Sequence, residues 1–369
     1  MRVLFCSLKH EYGDPQRGLS FEYVNLFGSL AKMQGVEADH FAFDEVMSQV
    51  GRDEMNRRLI REAEEKSYDL LFCFLFTDEI KKETIAHITQ KTKTKTFNWF
   101  GDDHWRFWVY SKDWAPLFTL VSTTDSQAYE AYKRLGINNV VKTQWAANRH
   151  LYKPIEQLQD YKIERLQDYK TGGLKDLDVT FVGQNYGIRE AYVKFLQKQG
   201  FPAKAFGWGW PSGPVSEERK LEIFSFSKIN LNFTETPDYG LKQKLRLLAR
   251  LFVKKELGKI RPNFGRLADS WRSIAGTQKR TIKGRNFEVP ACGGFLLTGD
   301  SDENLEEYYE DGKEIVIFRS KEDLLEKCRY YLGHEEERAA IAQAGLERTL
   351  RDHTYEIRFR EIFKFLKYD

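Results

Sequence analysis

Several things are scarce in this chain, and each scarcity narrows its function. Four cysteines occur in 369 residues (Cys6, Cys73, Cys292 and Cys328), far apart and without a C-x-x-C pair. A disulfide framework or a structural zinc site needs paired cysteines, so neither is expected. No apolar run approaches the roughly 18 residues that a membrane-spanning helix needs. The opening, MRVLFCSLKHEYGD, has too short an apolar stretch and the wrong flanks for a signal peptide. A reduced, cytoplasmic protein is the expectation. A broad excess of charge is missing too. The net charge is +3, yet residues 241–261 alone hold eight Lys/Arg and one Glu, a local +7. The remainder is slightly acidic, whereas a nucleic-acid binder spreads its basicity over a face. Nucleic acid is therefore not an expected partner.

What is present suits a soluble α/β protein. Hydrophobic residues make up 41% and charged residues 31%, and the length suggests two domains. The first half alternates apolar runs with helical periodicity. VLFCSL (3–8), residues 38–43, LLFCFLF (70–76), residues 94–100 and residues 120–124 read as strands. Helices are expected over 21–33, 52–66, 80–90 and 126–135. Apolar strands separated by helices mean βαβ units and a parallel sheet. The pattern breaks over 152–177, where LQDYK occurs twice, at 158–162 and 166–170, in a surface linker. It resumes with DVTFVG (178–183), a helix over 188–199, strands over 203–207, 229–233, within 293–299 and over 314–318, and a helical C-terminus. The expected fold is α/β, with two Rossmann-like lobes of parallel sheets flanked by helices. A lobe over 1–151 and a linker over 152–177 precede a lobe over 178–350, and a C-terminal helix over 351–369 packs back across the lobes. The second lobe carries a basic insert over 238–280. In open parallel sheets the ligand lies beyond the carboxyl ends of the strands.

The densest candidate site is TIKGRNFEVPACGGFLLT (281–298). Lys283 and Arg285 at a helix N-terminus suit a diphosphate. Glu288, three residues on, can accept hydrogen bonds from ribose hydroxyls. The structural alternative is an Arg–Glu pair stiffening a helix that Gly293 and Gly294 cap. VGQNYGIRE places Gly183 at a strand end and Arg189 in the first turn of a helix, fitting the same diphosphate. Trp208 and Trp210 follow the next strand, where a ring could cover a nucleobase or a sugar, or simply pack in the core. In the first half, GDDHWRF follows a strand, so Asp102, Asp103 and His104 are expected to project toward the ligand as acid–base candidates. The alternative is a capping Asp plus surface charge. His10, after the first strand, is the rival base. Asp300 and Asp302 are the nearest approach to a D-x-D pair, but they also read as a helix N-terminus. No metal is demanded, because Lys and Arg can neutralise a leaving diphosphate.

KGRNFEVPACGGFLLTG, with ENLEEYYEDGKEIVIFRSKEDLLEKCRYYL (303–332) and LERTLRDHTYEIRFREIF (346–363), resembles glycosyltransferases of the spore maturation protein CgeB type. These are similar to the group-one, GT-B-fold glycosyltransferases. The resemblance extends more faintly to VTFVGQNYGIRE (179–190), AFGWGW (205–210), SKINLNF (227–233), NWFGDDHWRF (98–107) and NRHLYKP (148–154). It implies a nucleotide-diphosphate-sugar donor (UDP-, GDP- or dTDP-linked) held by the C-terminal lobe, a hydroxyl acceptor and no required cofactor. It also supports the ribose role of Glu288 and the diphosphate roles of Lys283 and Arg285. Many group-one enzymes carry a second glutamate eight residues before the ribose one, and that position here is Arg280. The basic insert has Leu245, Leu248, Leu251 and Phe252 at helical spacing. Such a helix could lie on an anionic membrane surface, grip a polyanion or pack on its own lobe. A non-catalytic binding protein and an epimerase of nucleotide sugars remain the alternatives to transfer.

Overall fold

The computed structural model describes residues 1–155, 177–235, 253–256, 259–262, 267–277 and 279–368. Thirteen strands are described: β1 (Arg2–Ser7), β2 (Glu37–Ala42), β3 (Leu70–Cys73), β4 (Lys95–Phe100), β5 (Leu120–Thr123), β6 (Val140–Lys142), β7 (Val179–Val182), β8 (Ala203–Phe206), β9 (Ile229–Asn232), β10 (Val253–Glu256), β11 (Lys259–Pro262), β12 (Leu296–Gly299) and β13 (Val316–Phe318). They form a six-stranded sheet, a two-stranded hairpin and a five-stranded sheet. The chain divides into two compact units. The first comprises Met1–Gln144, Lys244–Gly276 and Tyr355–Asp369, and the second Trp145–Gln243 and Thr277–Thr354.

The first unit holds the six-stranded sheet, in the order β2-β1-β3-β4-β5-β6. Every neighbouring pair is parallel. Val3–Cys6 and all of β3 are buried, as strands covered on both faces must be. Strand order reverses between β1 and β3, so the crevice for a ligand lies beyond the ends of these two strands. Those ends lead to His10 and to Phe74–Asp78. The C-terminal helix Tyr355–Phe365 belongs to this unit. Phe359 meets Phe72 with ring centroids 5.5 Å apart, and Arg358 donates to the Gln144 carbonyl at 3.3 Å.

The second unit holds the five-stranded parallel sheet, in the order β13-β12-β9-β7-β8. Here the order reverses between β7 and β9, which puts the crevice beside Gly183–Arg189 and Phe233–Glu235. One face of the sheet buries Phe181, Tyr192, Phe233 and Phe318; the other buries Ile223, Phe287, Val289 and Ile317. The helix Arg285–Ala291 is buried from Asn286 onward. It ends in a Schellman turn, in which Gly293 has φ +72° and the Gly294 N–H donates to the Val289 carbonyl at 3.1 Å. A Cβ on Gly294 would lie 2.2 Å from the Phe224 carbonyl oxygen, so both glycines have backbone work to do.

The α/β class and the two parallel sheets match the expectation. Three local features differ. The helix expected over 52–66 begins at Phe43 and runs to Glu65, kinked at Gly51, whose φ of +78° interrupts the periodicity. A π-helical turn, Tyr23–Phe27, lies within the helix expected over 21–33. β6 is three residues long, too short to leave a periodic signal. Leu245, Leu248, Leu251 and Phe252 of the basic insert, and both LQDYK copies, lie outside the described residues. From Val253 to Pro262 the described part of the insert is an antiparallel hairpin rather than a helix. Among the described residues no helix is long and apolar enough to cross a membrane.

Candidate functional site

Two guanidiniums meet at the end of β7. Arg189 opens the helix Arg189–Lys198 and is 2% exposed. It donates to the Gln184 carbonyl at 2.8 Å and the Tyr186 hydroxyl at 2.7 Å, and lies 3.7 Å from the centroid of the Tyr186 ring. Arg285 opens the helix Arg285–Ala291, and its Nε donates to Asn232 Oδ1 at 3.0 Å. Both guanidinium carbons stand over the Phe181 ring, at 5.3 Å for Arg189 and 5.0 Å for Arg285. Gly183 makes this approach feasible, because a Cβ there would lie 2.6 Å from Arg285 Nη1.

The electrostatics of this pair are unfavourable as they stand. Among the described residues neither arginine forms an ion pair, and Arg189 Nε is buried without a hydrogen-bond partner. Burial, and then the charge of Arg285, lower the Arg189 pKa to about 10; burial lowers that of Arg285 as well. Glu235 and Glu288 act on the two guanidiniums without pairing with them, and holding two cations out of water costs several kcal/mol unless an anion compensates. A bound dianion would compensate both.

An amide network fixes the geometry. Asn232 Nδ2 donates to Asn286 Oδ1 at 2.9 Å and to Thr298 Oγ1 at 3.1 Å, and Asn286 Oδ1 also accepts the Lys283 N–H at 2.9 Å. The Lys283 ammonium donates to the Thr281 hydroxyl. Glu288 is 5% exposed. Its pKa is raised because burial outweighs the opposing charges of Lys220 and Arg285 and a hydrogen bond from Tyr152. Lys220 in turn donates to Tyr152 Oη at 3.0 Å and pairs with Glu217 at 2.7 Å. Gly183, Arg189 and Arg285 thus converge, and Asn286 ties Lys283 to them. Gly293 and Gly294 occupy the capping turn at the far end of the Arg285–Ala291 helix. Trp210 is core: it is buried, meets Phe181 edge-on at 6.0 Å and donates its indole N–H to the Gly183 carbonyl at 2.8 Å. Trp208 is 49% exposed. Arg280, where the first glutamate of group-one enzymes would stand, is clamped by Asp300 at 3.1 Å and Asp302 at 2.7 Å. The D-x-D pair is therefore an arginine clamp, and the helix expected to start there is a short 3-10 turn, Leu305–Glu307.

In the first unit, His10 follows β1 with its Nδ1 3.3 Å from Asp44 Oδ2. Asp44 opens the helix after β2, and it accepts the backbone N–H groups of Lys9 and His10 at 3.0 Å each. These three contacts hold the His10 ring with Nδ1 toward Asp44. Glu22 is buried nearby, and desolvation, reinforced by the charges of Glu11, Asp44 and Asp102, raises its pKa to about 8. The GDDHWRF residues diverge instead of projecting together. Asp102 is exposed. Asp103 turns inward, 2% exposed, and accepts the Tyr132 hydroxyl at 3.1 Å; burial raises its pKa to about 7. His104 is partly buried, and its carbonyl faces Gly276, where a Cβ would lie 1.7 Å away. The cause is the helix Asp103–Arg106, which starts immediately and rotates successive side chains apart.

Sequence reasoning missed Asp44, Tyr186, Asn232 and Tyr152. Asn232 did leave a signal, as a polar residue inside the apolar strand INLN. Asp44 left only an acid in the first turn of a helix, which is common.

Residues 258–364 match the family described as glycosyl transferase-like. No curated protein matches the sequence. Among solved structures, HepE of Anabaena in complex with UDP and glucose is similar over the whole of both chains, with a TM-score of 0.59 at 11% identity. A sucrose-phosphate synthase of Thermosynechococcus elongatus covers 99% of this chain and 98% of its own, with a TM-score of 0.59 at 9% identity. A glycosyltransferase of Rickettsia africae covers 100% and 99%, with a TM-score of 0.58 at 10% identity. The fold of this chain is the GT-B fold.

Proposed function

We propose that the protein is a glycosyltransferase that moves a sugar from a nucleoside-diphosphate donor to a hydroxyl acceptor, and that it is of the CgeB type. The observation that carries this reading is the Arg189–Arg285 pair, two adjacent cations that form no ion pair among the described residues, at the switch point of the second sheet. A diphosphate bridging them supplies the missing counter-charge, and the same cations then stabilise that diphosphate as it leaves. Lys283 joins them at the amino end of its helix, and Glu288 takes the ribose hydroxyls. Gly183 admits the phosphate backbone, while Gly293 and Gly294 anchor the helix that carries Arg285. Trp208, exposed beyond β8, is the aromatic candidate for the nucleobase.

On the acceptor side His10 is the base, with Asp44 holding its Nδ1 proton so that Nε2 accepts the proton of the acceptor hydroxyl. Asp102, Asp103 and His104 shape and support that side; the inward turn of Asp103 favours His10 over them as the base. The match to a glycosyl transferase-like family over 258–364 and the UDP and glucose bound by HepE support the reading.

Calorimetry against UDP, GDP and dTDP, with UMP as control, tests it. A ligand at 100 times its Kd stabilises the fold by about 2.7 kcal/mol, so a melting shift reports it as well. One diphosphate should bind at least tenfold tighter than its monophosphate, and Arg285→Met should remove that preference. Equal binding of mono- and diphosphates, or no binding, refutes the donor assignment. Release of free nucleotide only when an acceptor is added separates a transferase from a non-catalytic binder or an epimerase.

A further inference from the structure

A chain of polar side chains in the second unit leads from its surface to Glu288. It starts in the helix Glu217–Phe226, whose amino end is capped by Ser216 accepting the Arg219 N–H at 3.2 Å. Glu217 and Lys220 are three residues apart and so share one face of that helix. Lys220 Nζ lies 2.7 Å from Glu217 Oε2 and donates to Tyr152 Oη at 3.0 Å. Tyr152 is fully buried in one core with Phe287 and Val289 of the helix Arg285–Ala291, and its N–H donates to the Asn148 carbonyl at 2.8 Å. Its hydroxyl bonds to Glu288 on that same helix.

The chemistry of the three groups fixes the direction of this chain. An ammonium has only hydrogens to give, and an ionised carboxylate has only lone pairs. The Tyr152 hydroxyl between them owns a single hydrogen. It therefore accepts from Lys220 and donates to Glu288.

Two consequences follow for Glu288. Burial to 5% exposure favours its protonated form, whereas the charges of Lys220 and Arg285 and the bond from Tyr152 all favour the ionised one. The Tyr152 bond also fixes the rotation of the carboxyl group while taking one of its roughly four lone-pair positions, so the others stay open to a ligand. A carboxylate held in this way suits adjacent O–H donors. The 2′ and 3′ hydroxyls of a ribose supply two, and a 2′-deoxyribose supplies one. A site built to bond a hydroxyl discriminates against the analogue that lacks it, because its own polar group is left unpaired.

We propose that Tyr152, oriented by Lys220, is a positioning residue that sets Glu288 to recognise the paired ribose hydroxyls, so that the donor carries a ribonucleoside diphosphate (UDP or GDP) in preference to a 2′-deoxy one such as dTDP. The proposal rests on the donor reading of Glu288 and adds the nucleotide class together with the residues that enforce it.

The test is calorimetry on the full chain with UDP against dUDP, GDP against dGDP, and inorganic pyrophosphate, in wild type, Tyr152→Phe and Lys220→Met. Tyr152→Phe removes one oxygen and keeps the buried ring, and Lys220→Met removes the ammonium at a partly exposed position. Wild type should bind one ribonucleotide about tenfold tighter or more than its deoxy counterpart. Both variants should bring that ratio below about threefold by weakening the ribonucleotide, with pyrophosphate and deoxynucleotide affinities within about twofold of wild type. A general loosening of the unit would instead weaken all the ligands and leave the ratio in place. Equal binding of ribo- and deoxynucleotides by wild type, or a ratio that survives in either variant, overturns the positioning role, and pyrophosphate binding then leaves the Arg189–Arg285 site standing. Failure of wild type to bind pyrophosphate or any of the nucleotides strikes the donor reading itself, and this inference with it.

Discussion

Asn232→Asp changes one atom group and tests the anion site more sharply than removing an arginine. Asn232 is fully buried, and its Oδ1 accepts from Arg285 Nε at 3.0 Å. An aspartate there puts a carboxylate directly against Arg285, which forms no ion pair among the described residues. The new charge lies roughly 6 Å from a phosphate on the guanidinium, which at an effective dielectric constant of about 20 is worth about 3 kcal/mol of repulsion. That corresponds to roughly a 100-fold increase in Kd for a nucleoside diphosphate. The fold has both a loss and a gain. Asn232 Nδ2 no longer donates to Asn286 and Thr298, a cost of about 1–3 kcal/mol. A charge-assisted bond to Arg285 offsets much of it. The melting temperature of the free protein should therefore stay within a few degrees of wild type while calorimetry shows diphosphate binding nearly abolished. Asn232→Ser removes the amide without adding charge and should weaken binding only about tenfold. Wild-type affinity in Asn232→Asp, or equal losses in the two variants, would refute the claim that unpaired positive charge attracts the ligand.

Two further outcomes concern the first unit. Asp44→Asn deprives His10 of its carboxylate and should lower kcat by about 100-fold or more, within the usual range for general base catalysis, with nucleotide Kd unchanged; a wild-type kcat would remove the dyad from the mechanism. Glu22 carries a pH signature. Its carboxyl stays protonated in the folded chain up to about pH 8, against an ordinary value near 4.5. The unfolded chain has lost that proton above 4.5, so stability falls as pH rises from about 4.5 to 8. Asp103, raised to about 7, contributes with the same sign over a narrower window. Between pH 7 and 8 the slope is thus mainly that of Glu22, and Glu22→Gln should flatten the melting temperature measured there. An unchanged slope in the variant would show that Glu22 ionises normally.

The sequence made the α/β class legible because strands covered on both faces are unbroken apolar runs, and LLFCFLF and VTFVG announce themselves. The cluster around Arg285 was legible for a similar reason, as cations beside a Gly-Gly turn are visible as a string. GDDHWRF misled in part. Adjacent letters suggested a shared direction, but a helix beginning at Asp103 sends that carboxyl to Tyr132 in the core. For Trp210 in AFGWGW the sequence left a ligand-facing ring and core packing both open, and the structure puts it in the core, where its indole holds the Gly183 carbonyl.

The amino acids by themselves determined which segments become strands and helices, and that charged residues lie at their ends, because periodicity and chain direction are local properties. Only the tertiary structure decided the partners. Asp44 comes to His10 because β2 lies beside β1, and Asn232 comes to Arg285 because the helix that Arg285 opens leads into β12, which lies beside β9. Sheet order is set by how whole elements cover one another's apolar faces. Pairings of residues 34 and 53 positions apart therefore emerge only when the sheets assemble.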